Sequence, residues 1–260
     1  GLIWLFLLPI SILNESRWWD SARAAQRPLQ FLEGGSAGLA MALIFGLLSA
    51  MAVFSYLYNS RSVGLMHTLP LKREGLFLTN YLSGLSCFLL PNLAVFVLSL
   101  AAEALAGAVN AGSLCMWLTV QSLLCFFFYS FAVFCAMFTG HLLALPAFYA
   151  IFNGLAWGLY GLLILLFSQF FYGYNRSASS PVVELLTPLY TLSDACRLAS
   201  SSDAAGAWVL TSPLTVAGYA GAGLVLALLA LLLYRRRQVE SAGDVVSFRV
   251  VRPIFQCSVT

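Results

Sequence analysis

Apolar residues run through this chain in stretches too long for the alternating or striped patterns of a water-soluble fold. Continuous apolar segments lie at about 36–58, 82–105, 114–138, 142–170 and 213–234. Each reaches the roughly 20 residues that a helix needs to cross a bilayer. A shorter run, LIWLFLLPISIL, lies at residues 2–13 and reads as the second half of a first span whose beginning is missing. Backbone polar groups find no water in hydrocarbon, so every run is expected to be a helix that bonds within itself. The expectation is an all-α integral membrane protein with six transmembrane helices, the first one truncated. Residues 1–238 would be the transmembrane domain, and 239–260 the start of a cytoplasmic C-terminal segment. Alternation from Asp244 to Val251 predicts a strand there.

Composition agrees with this class. The chain is 61% hydrophobic and 9% charged, whereas soluble domains are about 45–50% apolar and about 25% charged. A net charge of +3 is too small to point to nucleic acid. The cysteines form no CxxC pair and mostly lie inside apolar runs, as small hydrophobes do. Glycines punctuate the second run (Gly38, Gly46) and the last (Gly218, Gly221, Gly223), where close helix contact is the usual reason.

The placement of charge sets the orientation. With both termini cytoplasmic, the inner segments 59–81, 139–141 and 235–260 hold eight basic and three acidic residues; the outer segments hold five basic and seven acidic. The run Tyr234-Arg235-Arg236-Arg237 directly follows the last span. Two outer segments are longer than turns. Residues 14–35 carry Trp18 and Trp19, and residues 171–212 include VVELLTPLYTL, which predicts an interfacial helix on the outer face.

Little in the spans carries chemistry. Glu103 and His141 are read as boundary residues whose polar groups reach the interface, and Pro91 and Pro146 as residues near helix ends. No HExxH, paired-carboxylate, Gly-x-Ser-x-Gly or Walker A pattern occurs. Asn92, Gln121 and Asn153 are uncharged polar exceptions within apolar runs. They serve either as interhelical hydrogen-bonding groups or as the lining of a substrate path.

One connection departs from its surroundings: RSVGLMHTLPLKREGLFLTNYLSG, residues 61–84, between the second and third spans. Residues 62–68 can make about two helical turns with Val63 and Met66 on one face. Thr68 can cap a second helix with Pro70 in its first turn. Two readings stand: a surface segment held to anionic lipid by Lys72 and Arg73, or a docking helix for a cytoplasmic partner.

This stretch resembles the segment after the second span of type-2 ABC transporter permeases (the ABC-2 membrane family), particularly a group from Gram-positive bacteria. Arg61-Ser62 and His67-Thr68-Leu69-Pro70-Leu71-Lys72-Arg73 match an Arg-Ser followed by His-Ser/Thr-Leu-Pro-x-x-Arg. The segments 131–140 (FAVFCAMFTG) and 234–243 (YRRRQVESAG) are similar to that group as well. Where the family often has Asn after Thr-Gly, this chain has His141.

The resemblance implies a permease without ATPase activity of its own. ATP and Mg would be bound by separate ABC ATPase subunits. Met66, His67, Thr68, Leu69, Pro70, Leu71, Lys72 and Arg73 would form the inner coupling helix docked on that partner. A second permease subunit and membrane lipids would complete the assembly in the plasma membrane, exporting a peptide, antibiotic or lipid-like molecule. A non-transporting anchor, immunity or sensor-partner protein is the rival from another class. A secondary transporter is a further alternative, although such proteins place ionisable groups or broken helices at mid-membrane.

Overall fold

The structure is a computed structural model describing residues 2–18, 26–32, 37–58, 73–107, 109–171, 180–200 and 208–236. Long helices dominate: α1 (Leu2–Trp18), α3 (Ala37–Phe54, continued as a 3-10 turn over Ser55–Tyr58), α4 (Arg73–Ala106), α5 (Ala111–Phe138), α6 (Ala144–Phe170) and α9 (Pro213–Arg236). Short elements join them: α2 (Arg27–Gln30), α7 (Pro181–Leu185), α8 (Pro188–Ala195), and strands β1 (Leu198–Ser200) and β2 (Trp208–Leu210). Among the described residues five helices, α3 with its 3-10 turn, α4, α5, α6 and α9, are long and apolar enough to cross a membrane. This is a multi-pass membrane protein. The sixth span expected at the start is not among the five: α1 has 17 residues and packs along α4.

The bundle is organised around α5. Of its most apolar window 72% is buried, against 6% for α6, so α5 is the core and α6 lies at the periphery. Its Trp117, Leu124, Phe128, Tyr129, Val133 and Met137 are all enclosed, and α3, α4 and α9 pack around it. Lipid tails are as apolar as leucine, so close backbone approach through small residues replaces the hydrophobic drive. At Gly46 of α3 a Cβ would stand 2.8 Å from the Phe128 and Tyr129 backbone, and at Gly223 of α9 it would stand 3.1 Å from Phe127 Cα. Gly84 of α4 lies against the Tyr129 ring. Glycines on three helices thus let α5 sit at the centre.

Hydrogen bonds cross the same seams. Ser49 Oγ donates to the Gly84 carbonyl (3.0 Å), Tyr129 Oη to the Tyr81 carbonyl (3.1 Å), and Tyr149 Oη to the Leu43 carbonyl (3.2 Å). The helix α4 starts well before the apolar run at 82–105, because Arg73–Tyr81 continues it beyond the hydrocarbon stretch. Pro91 lies well inside α4 rather than near its end.

The segment expected to hold one interfacial helix contains two short ones followed by a strand pair. Pro181 and Pro188 open α7 and α8, where a missing N–H costs nothing. β1 and β2 pair antiparallel, Ala199 opposite Val209, and Thr211 N–H donates to the Arg197 carbonyl at 2.9 Å. This pair adds a small β element to a helical fold. Tyr219 Oη of α9 donates to the Leu185 carbonyl at 2.5 Å, which ties α7 to the bundle. Cys196, at the end of α8, is buried, and that burial pushes its thiol up to about 11.

Candidate functional site

The two ends of the bundle differ in chemistry. At one, here the basic end, α3 and α9 finish, α4 and α6 start, and α5 finishes. Charged and aromatic side chains converge there. Arg235, in the last turn of α9, forms an ion pair with Glu74, in the first turn of α4; both are about half exposed. Tyr56 and Tyr234 place their hydroxyls 3.2 Å apart, and Tyr58 and Thr139 place theirs 3.0 Å apart. Phe77 of α4 lies centrally, with ring centroids 5.7 Å from Phe54, 5.4 Å from Tyr234 and 5.8 Å from Tyr81. Tyr81 then meets Tyr129 at 5.1 Å and shares a 2.7 Å hydrogen bond with Ser130.

These contacts bracket the segment singled out in the sequence. Met66, His67, Thr68, Leu69, Pro70, Leu71 and Lys72 lie outside the described residues, as does the strand expected between Asp244 and Val251. Their flanks are defined. On one side Tyr58 is held to α5 through Thr139 and the Ala136 carbonyl (3.3 Å). On the other, Arg73 is the exposed first residue of α4, followed by the Glu74–Arg235 pair. Sequence reading placed Glu74 and Arg235 on the same side of the bilayer but did not pair them. Only the charges signalled the site; the sequence reading gave Tyr56 and Tyr58 no role.

The three polar residues read as a possible path are all buried, and two of them come together. Asn92 of α4 and Gln121 of α5 both point an amide at the Cys125 sulfur, at 3.9 and 3.7 Å. Gln121 also donates to the Gly38 carbonyl at 3.0 Å and so ties α5 to the start of α3. Its Oε1 has no partner among the described residues. Asn153 is separate: its amide donates to the Tyr149 carbonyl one turn earlier in its own helix, at 2.9 Å. No continuous line joins the three.

Glu103, expected to be open to the interface, is covered by protein at the end of α4. It is fully enclosed, and its Oε2 accepts the Asn110 N–H at 2.8 Å, closing the turn between α4 and α5. Gly107, at φ +75, makes the chain reversal, and Asn110 Oδ1 accepts from the Ser113 N–H at 3.3 Å to cap α5. The carboxylate does the work of a loop clasp. His141 is exposed, and its Nδ1 accepts the Leu143 N–H at 3.2 Å. Among the described residues, no three His, Cys, Asp or Glu side chains are grouped to hold a metal ion.

No family model and no curated protein matches the chain.

Proposed function

We propose that this protein is the membrane-spanning permease subunit of an ATP-driven ABC exporter. It would move a peptide, antibiotic or lipid-like molecule while separate ATPase subunits bind ATP and Mg. Both termini are cytoplasmic in a bacterial plasma membrane, and the basic end faces the cytoplasm. Residues Met66–Arg73 dock on the ATPase, and a second permease subunit completes the assembly.

The observation that carries the reading is the double anchoring of the 59–72 connection. A partner's conformational change can bias a membrane helix only through differential contacts that are physically joined to it. Tyr58–Thr139 joins one flank to α5, and Glu74–Arg235 with Phe77–Tyr234 joins the other to α9. A push on this segment therefore acts on the core helix and the last helix together. A merely lipid-attached loop would have no need of such linkage to the bundle core.

The test is co-purification of the tagged full-length protein from its native host in mild detergent, with mass spectrometry of what accompanies it. A stoichiometric ATP-binding subunit, lost when residues 66–73 are altered, is the expected result. Repeated isolation without any ATPase would sink the permease reading and favour an anchor or immunity role.

A further inference from the structure

At the opposite end of the bundle, α7 and α8 wedge beside α6 and α9 and leave a small cavity of about 150 Å³. Three aromatic side chains line it, Trp157 and Tyr160 from α6 and Tyr190 from α8, together with Glu184, Thr187 and Ser180. Among the described residues, no lysine, arginine or histidine does. We infer that this cavity is a binding site for an alkylated ammonium group, carried either by a lipid headgroup or by a free amine.

The chemistry of the lining selects that ligand. Glu184 has no ion-pair partner among the described residues, whereas Asp194 on the neighbouring helix is matched by Arg197 at 3.0 Å. A carboxylate unpaired within the described residues and set among aromatic rings attracts a cation and repels an anion. Thr187 Oγ1 donates its proton to the Val183 carbonyl at 2.8 Å, which leaves its lone pairs as acceptors. A metal ion would demand several oxygen ligands or waters, and the cavity's lining offers one carboxylate among three aromatic side chains. An alkylated ammonium is the cation that gains from both aromatic faces and a single carboxylate. The volume suits a small headgroup.

Depth agrees with the same ligand. Tyr160 lies ten residues before the end of α6 at Phe170, about 15 Å along the helix axis. The cavity is thus recessed below the end of α6, where a headgroup attached to an acyl chain can enter from the side. The inference concerns this end alone and does not depend on an ATPase partner at the other.

The full-length protein, purified in a non-ionic detergent, is tested by scintillation proximity with tritiated choline, and competed with tetramethylammonium or with 3,3-dimethylbutanol, the uncharged shape analogue. In parallel it is placed in nanodiscs of mixed phosphatidylcholine and phosphatidylglycerol, and retained lipid is read by native mass spectrometry. Saturable choline binding competed by tetramethylammonium but not by dimethylbutanol identifies a free-amine site. Selective retention of phosphatidylcholine without choline binding identifies a lipid site. In either case Glu184→Gln and Trp157→Leu weaken the interaction about tenfold, and Trp157→Phe, which keeps an aromatic face, stays near wild type. Thermal midpoints taken alongside separate loss of the site from loss of fold. Equal competition by dimethylbutanol, neither ligand bound, or Glu184→Gln and Trp157→Leu binding like wild type would overturn the inference.

Discussion

Gly84 has the least room of the glycines that meet the core helix. Any Cβ there would collide with the Tyr129 hydroxyl and ring, and Tyr129 is held in turn by its bond to the Tyr81 carbonyl and by Phe88, 5.8 Å away. Gly84→Ala is therefore expected to destabilise the bundle by about 1–3 kcal/mol through overpacking, with partial recovery when Tyr129→Leu is added. Thermal unfolding in detergent checks both; an unchanged midpoint for Gly84→Ala would show that the ring moves freely. Cys196 gives a second expectation at this scale. Its thiol shifts from an ordinary 9.0 up to about 11 because it is buried, so the folded state holds the proton more tightly than the unfolded chain. The resulting stabilisation is complete below pH 9.0 and is lost as pH rises through about 11. In a protein whose other cysteines are replaced by serine, Cys196 should resist a water-soluble maleimide at neutral pH until detergent denaturation exposes it. Rapid labelling of the folded protein would contradict its burial.

Among the elements, the long apolar helices were legible from the sequence because hydrocarbon leaves the backbone no other option. Their ends were harder to read. Hydropathy stops at the polar residues Thr79 and Asn80, yet α4 runs back to Arg73 because charge and polarity do not break a helix. Glu103 was misread for a related reason. A carboxylate near a span boundary is expected to reach water, but here one of its oxygens accepts the Asn110 N–H from within the turn while Oε1 has no partner among the described residues. The strands at 198–200 and 208–210 are too short to leave a period. The Glu74–Arg235 pair joins two elements and can be tested as such. Its groups are about half exposed, so Arg235→Glu should change stability by only about 0–1 kcal/mol. In a reconstituted complex the same change should lower the transport obtained per ATP, because it places two like charges at the α4–α9 junction. Adding Glu74→Arg should restore coupling. Failure of the double exchange to rescue would mean that the pair does not transmit force.

For the molecule as a whole, the asymmetry between its ends is the main clue to its work. Aromatic stacking, hydroxyl pairs and an ion pair lock together the helix ends that flank the basic connection, while the other end carries the clasp, the short helices and the recessed cavity. Orientation was read from charge counts alone, and a cysteine in place of Arg197 or of Arg236, both exposed, tests it directly. Impermeant maleimide on intact cells should label the first and spare the second; the reverse would invert the topology. Given that orientation, the decisive change is Leu69→Asp with Arg73→Glu. It alters the apolar and basic character of the proposed docking segment and leaves Tyr58, Phe77 and Tyr234, which hold the bundle, unsubstituted. The variant should insert and melt like wild type, and in vesicles with the proposed ATPase partner it should leave ATP hydrolysis running while transport falls severalfold. On the proposed reading, force entering at residues 66–73 reaches the core through the two anchored flanks, so weakening the docking should separate the two activities. If transport and hydrolysis remain in their original ratio, the segment is a lipid-facing surface and the energy enters elsewhere.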